Sequence, residues 1–586
     1  MADDGETYSQ LVEPVRYEED QPLLPSSVQP TGITIRERLA RANFIPRRLC
    51  LPSASAVLLL LWSLLVGAIY MSGKSGANFG AHRLAEVHTF FHSTSILVTR
   101  LVFLLVFILY PFAGFLADIC CGRYKVIAIS LCLLACGMAF MSLDSIFLLT
   151  RYVAYPFEPQ RQKNAGLFFS TATIGLLLLV TGFAGYEANF IQFGIDQLME
   201  APNEYLGLFV HWVEWFTMIG ATFAQFTFSM IGHCNWKQST GIYYTILSLP
   251  LVYFILLSLM LVFTFWKRHW FNVEPARDNP YKMVIVVLNF ARKHKYPVSY
   301  STYTDDDDEE PSRLDYAKER YGGPFATEQV EDVKTFLRIL LILLALGPVF
   351  ALEVPIGPIC PIFIHHITEQ VENQTTCSVA EILLDVSSLK SFATIILFPC
   401  YIWLIYSVLR HCTPKTFTRI IVEIIVLIAG VICMFALEIL AHILHQQYDK
   451  TGPRCIFTKL EKKDDLHHLA LPWAVNLAPG FLTQAGITLV ITTTFEFILA
   501  QSPHAMKGLL IGVMFTVRGI FQLLMSLAIL PFSVREIWGT KWMKANPPPV
   551  TNCGFGYLLL TSVTGLVGLA LFLVAMKRYK YRERAG

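Results

Sequence analysis

Apolar runs of roughly 20 residues, each long enough as a helix to cross a hydrocarbon core, recur from Leu51 to Met576 with short polar breaks between them. In lipid every backbone polar group must be paired inside the chain, so runs of this length predict helices. The pattern predicts spans at about 52–72, 96–118, 125–145, 166–187, 206–232, 242–266, 334–355, 387–409, 417–442, 473–499, 507–531 and 554–576. The expected fold class is an all-α membrane protein with twelve transmembrane helices. One long polar insert, 267–333, divides the chain into six-span halves at 51–266 and 334–576, flanked by tails 1–50 and 577–586. Within the insert, a basic amphipathic piece around Lys282 to Lys295 predicts a helix on the membrane surface or a bridge between the halves, and the run Asp305 to Glu310 reads as a solvated loop.

Composition narrows the function classes. Hydrophobic residues are 54% of the 586, charged residues 15%, and the net charge of +2 is spread over loops, which leaves no basic face for nucleic acid. No zinc-site spacing, phosphate loop or nucleophile with a base is present, so no enzyme, metal site or cofactor is expected. Arg36, Arg38, Arg41, Arg47 and Arg48 before the first span, Arg123 and Lys125 after the second, and Lys577, Arg578, Lys580, Arg582 and Arg584 after the last place both termini in the cytosol. The sequon at Asn373 then falls on the opposite side, where glycosylation occurs. The polar, acidic first 46 residues predict no cleaved signal peptide.

Several segments carry a family resemblance. Gly114-Phe115-Leu116-Ala117-Asp118 with Gly122-Arg123-Tyr124-Lys125 resembles the loop joining the second and third spans of the major facilitator superfamily, in which a glycine turn, a carboxylate and basic residues latch helix ends. Phe193-Gly194-Ile195-Asp196-Gln197-Leu198 after the fourth span resembles a signature of the proton-coupled oligopeptide transporter family. So do Phe495-Glu496-Phe497 with Gln501-Ser502-Pro503 and Met506-Lys507 after the tenth. The run Leu314 to Lys318, Gly322 to Phe325 and Glu328 to Lys334 is similar to that family's entry into the seventh span. The resemblance implies the major facilitator fold, with alternating access around a midplane site between the halves.

The departures bear on mechanism. The family's first-span Glu-x-x-Glu-Arg cluster is missing from Leu51 to Met71, Glu187 stands where the family has a lysine, and Ile487 stands where it has a glutamate. Arg100 aligns with a second-span histidine and is a fixed positive charge. Charged and polar residues inside spans mark solute or ion pathways. The candidate substrate-binding or coupling residues are Arg100, Glu187, Asn189, His211, Glu214, Glu496 and Arg518, and the candidate gating motif is Gly114, Asp118, Gly122 and Arg123. Arg100 and Glu187 are expected to approach one another. His211 and Glu214, three apart, have the spacing at which a carboxylate tunes an imidazole. Glu353, Glu423 and Glu438 read as structural.

The reading that follows is a secondary active transporter of a small solute, either a di- or tripeptide or an amino acid such as histidine, with proton coupling left open. An uncoupled facilitator and a transport-inactive sensor or adaptor scaffold are the alternatives. The partners expected are the solute, protons in the coupled case, the lipid bilayer, and sorting adaptors that read the acidic dileucine Glu19 to Leu23-Leu24. That motif favours the endolysosomal membrane over the plasma membrane.

Overall fold

The computed structural model describes residues 54–87, 107–154, 165–198, 204–234, 239–273, 280–294, 312–353, 386–405, 415–448, 477–503, 506–528 and 555–579. Arg100, Asn373, Glu19, Leu23, Leu24 and the acidic run 305–310 lie outside them. The helices are α1 Ala54–Val87, α2 Phe107–Cys121, α3 Arg123–Ala154, α4 Ala165–Asp196, α5 Glu204–Cys234, α6 Ser239–Trp266, α7 Pro280–Lys293, α8 Thr327–Ala351, α9 Val386–Trp403, α10 Thr416–Tyr448, α11 Leu477–Gln501, α12 Lys507–Ala528 and α13 Phe555–Arg578. Among the described residues, ten helices are long and apolar enough to cross a membrane, and α2 and α9 hold the places of the second and eighth spans. Outward positions on these helices are apolar: Phe112, Val262 and Ile396 are 67%, 66% and 67% exposed, a surface that only lipid satisfies. The chain is a multi-pass integral membrane protein.

The two halves repeat one packing scheme. In the first, α1 packs on α5, α3 on α4, and α3 on α6; in the second, α8 packs on α12, α10 on α11, and α10 on α13. We call the side that carries the α2–α3 and α11–α12 turns the motif face.

The entry to the seventh span differs from the sequence expectation. Helix α8 starts at Thr327 rather than near 334, because Gln329 Oε1 accepts the Ala326 backbone N–H at 3.2 Å and starts the helix early. The approach to it is folded rather than loose. Lys318 bridges to Phe325, Gly322 takes a left-handed φ of 80°, and Asp315 pairs with Lys318 at 2.6 Å and with Lys334 at 2.5 Å. Burial pushes the Asp315 carboxyl up, but hydrogen bonds from Lys318, Lys334 and Ser312 outweigh it and hold the group well below the ordinary carboxylate range. Helix α7 lays Val284 and Val287 against Phe325, Val330, Val333 and Met506, so its apolar stripe packs on the second half.

Candidate functional site

Two levels of polar side chains lie between the halves. At the rise of an α-helix, Glu187 counted from Asp196, Glu214 from Glu204 and Arg518 from Lys507 all fall roughly 13–17 Å from the motif face, the mid-level of a core about 30 Å thick. Arg518 of α12 makes a two-pronged pair with Glu353 (Nε to Oε2 2.8 Å, Nη2 to Oε1 2.7 Å), and Gln522 donates to the same carboxylate at 2.6 Å. From the other half, Tyr110 donates its hydroxyl to Glu187, and its ring stacks on Phe515 of α12 at 4.3 Å. The charges of Arg518, Glu187 and Glu353 all bear on Glu214, and those of Glu187, Arg518 and Glu353 on Tyr70. Glu187, Glu214, Arg518 and Glu353 are each partly exposed, as residues lining an open space are. With Arg518 and Glu353 compensating one another, the described residues leave Glu187 and Glu214 as carboxylates able to hold an ammonium group.

The second level is nearer the motif face and consists of two clusters. In the first half, Arg123 at the start of α3 pairs with Asp196 at the end of α4 (2.8 Å) and with Asp118 (3.5 Å), while Gln192 donates to Asp196 at 3.0 Å. Helix α2 closes with a π-helical turn, Ala117–Cys121, and Gly122 leaves it at φ 79°, which brings Asp118 and Arg123 together. Asp118 in turn lies on the first turn of α12: a Cβ on Gly508 would sit 2.8 Å from Asp118 Oδ2. A carboxylate at a helix N-terminus is favourable there. In the second half, Arg419 at the start of α10 pairs with Glu496 near the end of α11 at 2.9 Å. Tyr401 of α9 donates to Glu423 at 3.0 Å and accepts from Arg419 at 3.3 Å, and Thr493 donates to Glu423 at 2.8 Å.

Among the described residues, the halves meet along α2–α12 and along α5–α9. On α2–α12, Gly114 opposes the Gly508 carbonyl, Gly512 opposes Pro111, and Thr516 donates to the Phe107 carbonyl at 2.6 Å. On α5–α9, Trp215 donates to the Ile395 carbonyl at 2.8 Å, Leu208 packs with Phe398 and Ile402, and the His211 ring stacks on Tyr401 at 6.0 Å.

The residues anticipated from sequence distribute as follows. Glu187, Glu214 and Arg518 share the midplane level, and Asp118, Gly122 and Arg123 lie together at the motif face. Glu496 belongs to the second-half cluster. His211 and Glu214 serve different groups: His211 faces Tyr401 and the charges of Glu496 and Arg419, while Glu214 is turned to the midplane set. Asn189 is fully buried and donates to the Ala113 and Gly185 carbonyls at 3.3 and 2.9 Å, tying α4 to α2 rather than facing a solute. Tyr70, Tyr110, Tyr401 and Arg419 were missed. An overlay of the halves would have found Arg419, which stands at the start of α10 as Arg123 does at the start of α3; uncharged tyrosines give no such signal.

The POT family model matches residues 124–542, more than half of the chain. Solute carrier family 15 member 5 of Homo sapiens is 26% identical over 257 residues, which span 43% of this chain and 41% of that relative's length. An auto inhibited POT family peptide transporter superposes with a TM-score of 0.56 at 16% identity, covering 92% of this chain and 99% of that one. The POT family transporter PepTSo gives 0.57 at 14% identity, covering 90% and 99%, and the proton:xylose symporter XylE gives 0.51 at 12%, covering 90% and 97%. These likenesses identify the major facilitator fold, and the matched model identifies the family: this transporter-fold chain, its two halves meeting over buried charges, belongs to the POT family.

Proposed function

We propose that the chain is a secondary transporter that moves a small ammonium-bearing solute, a di- or tripeptide or an amino acid, by alternating access between its halves. The observation that carries this reading is the midplane set, in which Glu187 and Glu214 of one half face the Arg518–Glu353 pair of the other. A solute ammonium seated on Glu187 and Glu214 would touch both halves only while they enclose it, which links occupancy to their rocking. One structural neighbour is an auto inhibited POT family peptide transporter, which supports a peptide as the solute class.

Coupling to protons is part of the proposal, but it cannot use the first span, which has no carboxylate, imidazole or basic side chain from Ala54 to Gly73. That absence also favours the second reading, a downhill facilitator. The test is uptake by the reconstituted full chain into liposomes, across dipeptides, amino acids and anions, with and without an inward proton gradient. Accumulation driven by the gradient is the expected result. Downhill flux alone selects the facilitator, and no flux with any solute returns the chain to a scaffold role. We further propose an endolysosomal address with both termini cytosolic, tested by changing Leu23 and Leu24 to alanine, which should send the protein to the cell surface.

A further inference from the structure

The α5–α9 seam carries a titratable group that the midplane site does not use. His211 is fully buried, and its Nδ1 lies 2.9 Å from the Gly207 carbonyl, so Nδ1 holds the proton of the neutral ring and Nε2 is the atom that takes a second one. The ring stacks on Tyr401 at 6.0 Å and lies 6.3 Å from Phe398, both from the other half of the chain. Behind Tyr401, Arg419 pairs with Glu496 at 2.9 Å and its charge also bears on Glu423, whose second oxygen is buried without a hydrogen-bond partner among the described residues. The charged and titratable groups facing His211 are therefore Tyr401 from α9, Arg419 and Glu423 from α10, and Glu496 from α11, with Glu214 on the next turn of α5. Helix α1, packed on the other side of α5, brings no charged side chain between Ala54 and Gly73.

With both carboxyls ionised, Arg419, Glu423 and Glu496 sum to one negative charge in excess when His211 is neutral, Glu214 being turned to the midplane set. In the first half Asp118 and Asp196 flank Arg123, and Asp118 lies on the first turn of α12, which the buried Lys507 opens. In the second half His211 occupies that place across the seam. A proton on Nε2 balances the cluster, and the resulting imidazolium lies against an electron-rich phenol face.

We propose that His211 is a proton-binding site of the seam: the imidazolium holds the two halves together at the motif face, and the neutral ring releases them. For its consequence in transport the proposal rests on the alternating-access reading, but seam closure is measurable without any solute. The test places nitroxides through a non-canonical keto amino acid at the exposed Lys125 and Lys415, one in each half, in full-length protein in nanodiscs, and follows their separation from pH 8 to pH 5. The expected result is a shift of the distance distribution to the short population as pH falls, and its loss in His211→Gln. A second variant, Glu423→Gln, removes the surplus charge and should move the midpoint to lower pH by about one unit or more. A wild type whose distances ignore pH, a His211→Gln protein that still shifts, or a Glu423→Gln midpoint that stays in place would each overturn the proposal. Because no solute is present, a failure of uptake in liposomes leaves this readout intact.

Discussion

The two halves fasten their motif faces with the same frame and different clasps. In both, an arginine opening the third helix of the half meets a carboxylate closing the fourth: Arg123 with Asp196, Arg419 with Glu496. The clasp to the opposite half then diverges. The first half sets the Asp118 carboxylate on the first turn of α12; the second offers Tyr401, a neutral phenol, to the imidazole of His211. A carboxylate on a helix terminus holds its charge through the physiological range, whereas an imidazole changes its charge within it. If His211 binds a proton as proposed, one seam is a permanent attachment and the other an adjustable one, built on a duplicated frame.

The frame itself is the place to break the comparison hardest. Replacing Arg123 or Arg419 with methionine leaves buried carboxylates unpaired, and each change should lower unfolding stability by about 3–5 kcal/mol in detergent denaturation. Nearly equal losses would support a common frame; a much smaller loss for Arg419→Met would show that the second half does not depend on it. Next in size is Gly508→Leu, which drives a side chain into Asp118 and the Gly114 contact. Overpacking of about 1–3 kcal/mol should reduce the motif-closed population roughly tenfold, read as accessibility of Cys120 and Cys121 to a membrane-impermeant thiol reagent. Tyr401→Phe keeps the ring against His211 but removes one donor to Glu423; it should cost about 1 kcal/mol of stability, less than either arginine change.

The smallest effect is expected in the linker, which serves as a control. Asp315 is held well below its ordinary value of 3.8, so its pairing with Lys318 and Lys334 contributes stability that is present above that value and lost only as pH falls through the lower folded one. Hydrogen exchange over 312–334 should stay flat from pH 8 to pH 5, the range in which the α5–α9 seam is expected to move, and should rise in Asp315→Asn at every pH in that range. Loosening of this segment in the wild type near pH 6 would mean that pH acts on the whole motif face and not on one clasp.

The repeat of two six-helix halves was legible from hydropathy, because a bilayer imposes span length on sequence directly. So was the meeting of Asp118 with Arg123, since the two flank Gly122 in one short stretch of chain. Glu187, Glu214 and Arg518 were recognisable as charges inside spans, but the pairing of Arg518 with Glu353 was not, nor the hydroxyl of Tyr110 on Glu187. Those contacts depend on how far each helix is rotated about its own axis, which apolar runs on every side do not record. Asn189 misled for a related reason: an amide inside a span looks like a solute contact, yet here it caps two carbonyls of its own half.

The α2–α12 crossing has a mechanical consequence. Gly114, Gly508 and Gly512 bring main chain against main chain, so over that stretch there are no long side chains to interlock and none whose rotamers must be reset when the contact is made or broken. Such a crossing behaves as a smooth bearing, on which one rigid bundle can tilt over the other. On the alternating-access reading proposed above, the side chains that must re-seat as the halves rock are aromatic: Tyr110 on Phe515 at the far end of this crossing, and His211, Phe398 and Tyr401 in the α5–α9 seam, so the speed of the cycle should be set there.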